Sequence, residues 1–550
     1  VYNFFINYAR GFGRHNVALM AGVTAEKTFN RTYYQYRKGM AVNELDDINT
    51  GDVSTAEATG GRNENGMVSY LGRLNYDYKG IYLLEGLFRR DGSSKFDSDH
   101  RWANFMGISA GIRFSEMDFL KNTGIFDNLK LRGSYGETGS QAGIDNYYYS
   151  TISTGTAIFG TTPEKFTSSH VASMQTMDKT WERIATTNIG LDFAVLNNRL
   201  TGSFEYFLRE NKGMLIKRAY PATLGTTAPT TNSGNFKAKG WELQLNWNDR
   251  IGSDFRYNVG FSLADARTEV TSYDGAVAIA CGINNRVIAS GGTTSNIGAS
   301  STVLASSASF IEGKPLNAIY VYRTDGYLQN WNEVDAYYAQ YAAKGNGLIP
   351  TKDTNDQLTP GCVRRIDTTG DGMITTDDLV YYGDANPHFT FGLNLGAEYK
   401  NFDFSMFIQG VGQQYIAREG TLNSPWNAGY TNQNSTFFGK TWTEENPNAR
   451  YPIMSRNGAR NNWNYKNWND INILNCWYAR CKNICLGYTI PNFVTQKVGV
   501  ERLRIYVAAD NLFEFDNVSD GFDPEAKAIS SQGNVDVFAR TVTFGVDLTF

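Results

Sequence analysis

The sequence predicts an all-β protein, a transmembrane antiparallel β-barrel with long extracellular loops. Apolar and polar residues alternate over segments of about ten residues, and the connections between these segments alternate between short and long. No apolar run approaches the ~18 residues of a spanning helix. Because only helices and closed barrels satisfy their backbone groups inside a bilayer, a membrane location requires a barrel.

The last ten residues show the alternation most clearly. One parity is Val542, Phe544, Val546, Leu548 and Phe550, and the other is Thr541, Thr543, Gly545, Asp547 and Thr549. Successive side chains of a strand point to opposite faces, so one face is apolar and the other is polar or small. A final amphipathic strand that ends in Phe is common in outer-membrane barrels. The last strand of a soluble sandwich is the alternative interpretation.

The same alternation predicts fifteen strands. They are 2–10, 14–26, 66–77, 80–90, 102–114, 129–138, 184–195, 199–209, 238–248, 254–268, 387–399, 402–412, 473–488, 501–511 and 537–550. An odd number does not close a barrel in the usual even-numbered way, so we expect further strands upstream of Val1. We likewise expect the secretion signal of such a barrel to lie upstream.

The connections support a barrel more strongly than the strands do. The short ones are Arg10–Gly13, Tyr78–Gly80, Asn197–Asn198, Asp249–Asp254 and Lys400–Asn401. The long ones are 27–65, 140–183, 210–237, 269–386 and 413–472, while 91–101 and 115–128 are intermediate. Outer-membrane barrels have short periplasmic turns and long extracellular loops. A soluble sandwich gives no reason for this regularity.

Charge and cysteine content narrow the class further. The net charge of −4 and the pI near 5.8 indicate no basic surface for nucleic acid. Among the five cysteines, Cys281 and Cys362 fall in one predicted loop region. There, a disulfide and two separate thiols are both compatible with the sequence.

Several phrases match one known family in its order along the chain. They are Arg90–Phe96 (RDGSSKF), Leu129–Gly139 (LKLRGSYGETG), Asn188–Phe193 (NIGLDF), Lys239–Glu242 (KGWE), Lys482–Tyr488 (KNICLGY), Asp510–Phe513 (DNLF) and Gly521–Glu525 (GFDPE). The chain resembles the C-terminal barrel portion of a SusC-like TonB-dependent transporter of the Bacteroidetes outer membrane. The resemblance covers essentially all 550 residues.

The resemblance implies one barrel domain over 1–550 and a longer whole protein. Family members have a 22-stranded barrel, whose lumen holds an N-terminal plug. The plug and the first strands are therefore expected outside this chain, together with the region that engages TonB–ExbB–ExbD. A SusD-like surface lipoprotein is the expected lid. The expected function is import of nutrient oligosaccharides, with import of peptides by the same architecture as the alternative.

A twelve-residue segment, Asp367–Asp378, fits the calcium loop pattern. The predicted oxygen ligands are Asp367, Thr369, Asp371, the Met373 carbonyl and Asp378. Thr at the third position and Asp at the twelfth predict weak binding, with a structural role in a long loop. An acidic turn held by side-chain-to-backbone hydrogen bonds is the alternative.

Aromatic residues crowd the long loops and are candidates for ligand binding. The predicted ligand-binding residues are Tyr327, Trp331, Trp426 and Tyr430. Ring faces stack on the C–H surfaces of sugars, and neighbouring Asn or Asp side chains can bond to hydroxyl groups. Packing within the loops, or against the lipoprotein lid, is the favoured alternative for most loop aromatics.

No residue pattern predicts catalysis. Gly107–Gly111 matches the nucleophile-elbow motif around Ser109, but it falls inside a predicted strand, where small residues facing the lumen are the simpler interpretation. The four histidines are scattered, and His388 is expected to be a solvated lumen residue. We therefore predict that the chain is not an enzyme.

A secreted, soluble β-rich protein that binds or cleaves glycans is the alternative of another class. It would need polar residues on both faces of its edge strands. The uniform apolar parity argues against it, because so large an exposed apolar area aggregates in water.

Overall fold

The computed structural model describes most of the chain. The described residues are 1–40, 47–142, 144, 151–159, 164–174, 176–217, 229–273, 278–281, 286–289, 312–316, 318–342, 349–350, 358–375, 378–416, 424–425, 435–456, 458–466, 469–518, 522–525 and 538–550. Two compact units divide the chain. Unit 1 is Val1–Ile112, Arg132–Thr187 and Glu210–Gly234, and unit 2 is Arg113–Leu131, Asn188–Arg209 and Asn235–Phe550.

Strands dominate the described residues. In chain order they are β1 Tyr2–Phe12, β2 His15–Tyr36, β3 Glu57–Tyr78, β4 Tyr82–Ser93, β5 Trp102–Arg113, β6 Phe126–Ser140, β7 Thr151–Phe159, β8 Glu164–Ser173, β9 Glu182–Val195, β10 Leu200–Lys217, β11 Thr230–Ile251, β12 Phe255–Tyr273, β13 Ala278–Cys281, β14 Arg286–Ala289, β15 Ala318–Tyr322, β16 Thr324–Tyr327, β17 Val363–Arg365, β18 Leu379–Asp384, β19 His388–Tyr399, β20 Phe402–Gln413, β21 Tyr415–Ile416, β22 Leu474–Asn475, β23 Tyr478–Ile490, β24 Arg502–Asp510, β25 Glu514–Asp516 and β26 Thr541–Thr549.

Helices among the described residues are few and short. The α-helices are α1 Asp118–Lys121, α2 Trp331–Ala342, α3 Gly458–Asn461 and α4 Asn492–Thr495. Single helical turns lie at Ile48–Thr50, Val53–Thr55, Phe114–Glu116, Ser435–Phe437, Asn462–Lys466, Asp470–Asn472 and Gln496–Val498. Of the helices described, none has the length and apolar character that crossing a membrane requires.

The main sheet contains all fifteen predicted strands. Its hydrogen-bonding order is β1-β2-β3-β4-β5-β6-β9-β10-β11-β12-β19-β20-β23-β24-β26, with β25 beside β23. The registers are antiparallel, as in the ladders of β1 with β2 and β19 with β20. The predicted all-β antiparallel fold is confirmed. It follows from the two-residue period, which gives every strand one apolar face.

Several predicted loops are too long. The strands beside them stay hydrogen-bonded beyond the residues in which apolar and polar side chains alternate. About half of the predicted loop 27–65 is strand, because β2 and β3 stay paired as far as Tyr36 and Glu57. Another predicted loop, 140–183, contains the separate hairpin β7–β8. Polar residues on both faces hide such extensions from a periodicity argument, whereas backbone hydrogen bonds continue regardless of side chain.

Unit 1 has a small apolar core beside the ends of β4, β5 and β6. The buried members are Phe96, Ala103, Phe105, Ile144 and Trp181. Trp181 packs on Phe105 edge to face and donates its indole N–H to the Arg101 carbonyl at 3.0 Å. These contacts bury one large aromatic side chain and satisfy its only polar group.

In unit 2 the short connections are tight turns. Asn197 and Asn198 both have positive φ, at 58° and 59°. Leu196, which precedes them, also has a positive φ, of 60°, and Asn tolerates this left-handed region better than most residues. Lys400, in the turn between β19 and β20, has φ of 55°. These turns start each ladder at a defined register.

Two long connections, one between β12 and β19 and the other between β20 and β23, fold together into a compact structure, here called the loop module (described residues of 318–384 and 435–473). It pairs β15 with β18 and β16 with β17, and helix α2 lies between them in sequence. Its buried core is Leu328, Val334, Tyr337, Tyr341, Ile349, Leu358, Cys362, Val363, Ile374 and Trp463. Helix α2 contributes Val334, Tyr337 and Tyr341, which share one helix face.

Candidate functional site

A fully buried arginine lies at the centre of the loop module. The Arg365 guanidinium lies 4.0 Å from the ring centre of Tyr322 and 3.9 Å from that of Trp463. Its Nε donates to Asn469 Oδ1 at 2.7 Å, and its Nη2 donates to the Trp463 carbonyl at 3.0 Å. Burial lowers the pKa of Arg365 to about 10, so the charge remains at neutral pH. The stacked cation fixes the position of the segment that leads into the predicted calcium loop.

The predicted calcium loop begins two residues after Arg365 and brings three oxygen-bearing side chains together. The Thr369 hydroxyl lies 3.0 Å from Asp367 Oδ1 and 3.2 Å from Asp378 Oδ1. Asp378 is fully buried, and it accepts backbone N–H bonds from Thr368 at 2.8 Å and Thr375 at 2.8 Å. Asp367, Thr369 and Asp378 therefore converge at one point.

The remaining predicted ligands lie on the outer turn of this loop. Asp371 Oδ1 accepts the Met373 N–H at 2.8 Å, which is a local turn bond. Gly372 has φ of +81°, and its N–H donates to Asp367 Oδ2 at 2.8 Å. The sharp turn at Gly372 is the feature that the calcium pattern requires there. The alternative, an acidic turn, would have the same side-chain-to-backbone hydrogen bonds.

The two converging carboxyl groups have opposite pKa shifts. Burial raises the pKa of Asp378, with the charge of Asp367 adding to the shift and the backbone N–H bonds opposing it. Burial alone would raise the pKa of Asp367 as well. The N–H bonds from Gly372 and Gly370 outweigh burial and lower this pKa. A raised pKa favours the neutral form of the carboxyl group, and a cation beside Asp378 would favour the charged form.

This donor set fits a hard cation such as Ca²⁺, which prefers oxygen ligands. Within the parts of the chain that the structure describes, no three His, Cys, Asp or Glu side chains are placed to share one metal ion. The third converging oxygen here belongs to a threonine. Calcium at this loop stays a prediction.

The four predicted ligand-binding aromatics fall in three situations. The Tyr327 hydroxyl donates to the Arg450 carbonyl at 3.0 Å and its ring packs on the loop-module core, so Tyr327 has the contacts of the packing alternative. Burial raises its pKa to about 12. Trp331, at the start of α2, is 47% exposed and available to a ligand or a lid. Trp426 and Tyr430 lie outside the described residues.

Of the two loop cysteines, Cys362 has the contacts of a buried thiol. Its Sγ accepts the Thr359 N–H at 3.5 Å and lies 3.9 Å from Asn464 Nδ2. Burial raises the pKa of this thiol, which keeps it protonated.

The prediction that His388 is solvated is wrong. His388 is 7% exposed, its Nδ1 lies 2.7 Å from Asp265 Oδ1, and its Nε2 lies 3.2 Å from both carboxyl oxygens of Asp384. The neighbouring Phe389 has φ of 53°, and this kink interrupts the ladder with β20. His388 therefore joins β12 to β18. In the sequence, Asp265 directly follows the apolar residues of one parity in β12. This carboxylate is the signal that could have revealed its contact with His388.

A recess on the polar face of the sheet was not predicted. It has a volume of about 460 Å³, and its polar lining includes Glu205, Glu242, Gln244, Thr390 and Gln409. The aromatic ring of Phe407 also lines it, lying over Gly392, where a Cβ would be 3.4 Å from the ring. The recess thus combines one aromatic surface with amide, hydroxyl and carboxylate groups.

Ser109 lies in the interior of strand β5, opposite Glu85 of β4. The nucleophile elbow requires a strand, a sharp turn and a helix. The predicted placement of Ser109 in a strand is confirmed. The local structure is a continuous strand, and not the strand, turn and helix that would expose Ser109 as a nucleophile.

Comparisons with known proteins agree over almost the whole chain. No family model matches it. The chain is 26% identical over 529 residues to TonB-dependent receptor P3 of Formosa agariphila, covering 95% of this chain and 48% of that protein. It is 26% identical over 555 residues to TonB-dependent receptor SusC of Bacteroides thetaiotaomicron, covering 100% of this chain and 50% of SusC. The chain thus spans about half the length of these curated relatives.

Solved structures show the same fold. The RagAB peptide transporter has a TM-score of 0.74 at 19% identity, over 100% of this chain and 55% of the other. The RagAB peptide importer in its closed-closed state has a TM-score of 0.75 at 19% identity, with the same coverage.

The antiparallel sheet and these comparisons make the chain similar to the outer-membrane β-barrels of TonB-dependent receptors. This similarity to outer-membrane receptors argues against the secreted soluble alternative. The resemblance to SusC-like transporters that the phrases predicted is supported by the 26% identity to SusC and by the similar fold of RagAB.

Proposed function

We propose that this chain forms the wall and the extracellular loops of an active nutrient importer. The similarity to TonB-dependent receptors along 95–100% of the chain carries the proposal. A plug and energy coupling through TonB–ExbB–ExbD are assigned to the part of the protein outside this chain. A SusD-like surface lipoprotein is the proposed lid over the long loops. We further propose that the chain performs no bond chemistry.

The proposed cargo is an oligosaccharide. Support comes from the recess on the polar face, which faces the lumen in a barrel whose outward parity is apolar. The Phe407 ring can stack on the C–H face of a sugar. Glu242, Gln244 and Gln409 around it can accept and donate hydrogen bonds to hydroxyl groups. Exposed Trp331 offers a second stacking surface at the loops.

A peptide is the second candidate cargo. The solved RagAB complex is described as a peptide transporter, and its barrel has the fold of this chain. Amide side chains such as Gln244 and Gln409 would bond to a peptide backbone as well as to hydroxyl groups.

Calorimetry on the full-length receptor with its lid would separate the two cargoes. A panel of oligosaccharides and peptides should give binding only with oligosaccharides. Phe407→Ala should weaken that binding about tenfold, because an aromatic stacking contact contributes about 0.5–1.5 kcal/mol beyond its buried area. Phe404→Ala is the matched control, since Phe404 lies in the same strand on the outward parity. Binding of peptides alone would replace the oligosaccharide proposal, and equal effects of both variants would exclude the recess.

We also propose that the loop at Asp367–Asp378 holds a structural Ca²⁺. Asp367, Thr369 and Asp378 would supply converging oxygens, and the ion would supply positive charge beside buried Asp378. Asp371 and the Met373 carbonyl remain the other predicted ligands.

A further inference from the structure

The outward parity of two strands that are neighbours in the sheet, β11 and β12, changes from apolar to charged at one level. In β12 the outward parity is apolar through Phe261 and Leu263, and then becomes Asp265, Arg267 and Glu269. In β11 the same change occurs between Lys239 and Trp241. Outward apolar residues face lipid, so the change marks the edge of the hydrocarbon layer.

The distance along β19 identifies which edge this is. The outward parity of β19 runs from Tyr399, beside the short turn to β20, to Phe389. The ten residue-to-residue steps between them span about 34 Å along the strand, or about 24 Å along the membrane normal at a tilt of about 45°. An apolar band is about 25 Å tall. Phe389 therefore lies at the extracellular edge, opposite the short periplasmic turns.

A recess of about 430 Å³ opens on the outward surface at this edge. Three aromatic residues line its membrane side and three basic residues line its extracellular side. They are Tyr206, Trp241 and Phe389, and Lys237, Lys239 and Arg267, and the carboxylates of Asp265 and Glu269 also line the recess. An aromatic girdle alone would explain the rings, because such girdles mark both edges of a barrel. It does not explain why three cations and only two carboxylates line one recess.

The ion pairs around this recess leave positive charge unmatched. Lys237 pairs with Glu269 at 2.8 Å. Arg267 contacts Asp265 at 3.3 Å through Nε alone, and its side chain is 69% exposed. Asp265 is also bonded to His388 at 2.7 Å, so Arg267 shares its carboxylate. Among the described residues, Lys239 has no ion-pair partner. Lys239 and the free edge of Arg267 are therefore open to an anion.

We propose that this outward recess binds the phosphate of an anionic lipid headgroup in the outer leaflet. Lys239 and Arg267 bind the phosphate, and the acyl chains pack on the rings of Tyr206, Trp241 and Phe389. The rings at the hydrocarbon edge favour a lipid over a free anion, since a free anion would make no use of them. Cations next to a membrane surface attract anionic headgroups, and arginine adds directed hydrogen bonds to phosphate oxygens. The inference does not depend on which cargo is imported.

Native mass spectrometry of the delipidated full-length receptor in mild detergent tests the proposal. The probes are bisphosphorylated lipid A, the same lipid without phosphates, and inorganic phosphate. Wild type should retain the phosphorylated lipid. The double variant Lys239→Gln/Arg267→Gln should bind it about 30-fold more weakly, because each basic residue at a membrane surface contributes about 1 kcal/mol. The matched control is Arg250→Gln/Lys400→Gln, which removes two exposed charges at the short-turn end.

The outcomes separate the possible anions. Equal binding of the phosphorylated lipid by wild type and by the double variant would overturn the proposal. Retention of inorganic phosphate with no preference for the phosphorylated lipid would also overturn it, in favour of a free-anion site. If the double variant loses the heat-modifiable gel mobility of a folded barrel, the single variant Lys239→Gln replaces it, with about fivefold weaker binding expected.

Discussion

The strand wall and the loop module of unit 2 are stabilised in different ways. Outward residues of the wall, such as Phe402 and Ile505, are about half exposed, and their strands are joined by backbone ladders. In the loop module, Leu328, Val334 and Ile374 are fully buried. The wall needs lipid to cover its apolar face, whereas the loop module has a core like that of a water-soluble domain. We therefore expect single core substitutions to damage the module far more than the wall.

The largest expected effect is that of Arg365→Met. This change removes the cation stacked between Tyr322 and Trp463 and leaves the Asn469 side chain without its donor. A desolvated cation–π contact contributes about 2 kcal/mol and a buried polar group left unsatisfied costs about 1–3 kcal/mol, so we expect a loss of about 3–5 kcal/mol. The loop module should unfold at a lower denaturant concentration, detected by proteolysis within 435–473, while the heat-modifiable mobility of the barrel stays unchanged.

Arg364→Met is the control for this prediction. Arg364 is the preceding residue in the chain, but it forms an exposed pair with Asp325 at 3.1 Å. Exposed pairs contribute about 1 kcal/mol or less. Equal destabilisation by the two variants would show that the buried cation is not what holds the module together.

The contrast also explains what could be predicted from sequence. The strands of the wall could be predicted because apolar and polar residues alternate along them, as they do from Phe389 to Tyr399. In a strand, each residue type indicates which of the two faces the side chain lies on. The loop module has no such period. Arg365 meets Trp463 across about a hundred residues of chain, and His388 meets Asp265 across a similar span. Of the candidate sites, only the calcium loop, whose ligands are local in sequence, had a readable pattern.

A smaller loss is expected where the module joins the wall. His388→Ala leaves the carboxyl groups of Asp265 and Asp384 without the imidazole between them. An unsatisfied buried polar group costs about 1–3 kcal/mol. Hydrogen exchange of the β18 amides, Leu379–Asp384, should therefore accelerate. His170→Ala, in the exposed hairpin β7–β8, should leave the same amides unchanged. Unchanged protection of β18 in His388→Ala would contradict a joining role.

Calcium should stabilise the module by less than these variants destabilise it. With a Kd of about 10⁻⁴ M, about 1 mM Ca²⁺ adds about 1.4 kcal/mol. Calorimetry should detect binding that Asp371→Ala abolishes and that Asp325→Ala preserves. No heat of binding in the wild type would favour the acidic-turn alternative.

Without calcium, pH should act on the module in two separate windows. The pKa of Asp378 is raised in the folded state, so the folded state holds its proton longer than the unfolded state does. Stability should therefore fall as pH rises from the ordinary aspartate pKa through the raised value. Asp367 has a lowered pKa, so its contribution to the stability of the module is lost only as pH falls below the ordinary aspartate pKa. Bound Ca²⁺ should suppress the Asp378 window, and denaturation at several pH values with and without Ca²⁺ measures both.

The smallest expected effect is that of Ser109→Ala in the wall. Ser109 lies within the β4–β5 ladder opposite Glu85, and a strand interior accepts Ala through the same backbone hydrogen bonds. We expect a change within about 0.5 kcal/mol in stability and no change in cargo uptake. Esterase activity that is present in the wild type and lost in Ser109→Ala would contradict this. It would also weaken the distinction between wall and loops, because the wall would then carry chemistry of its own.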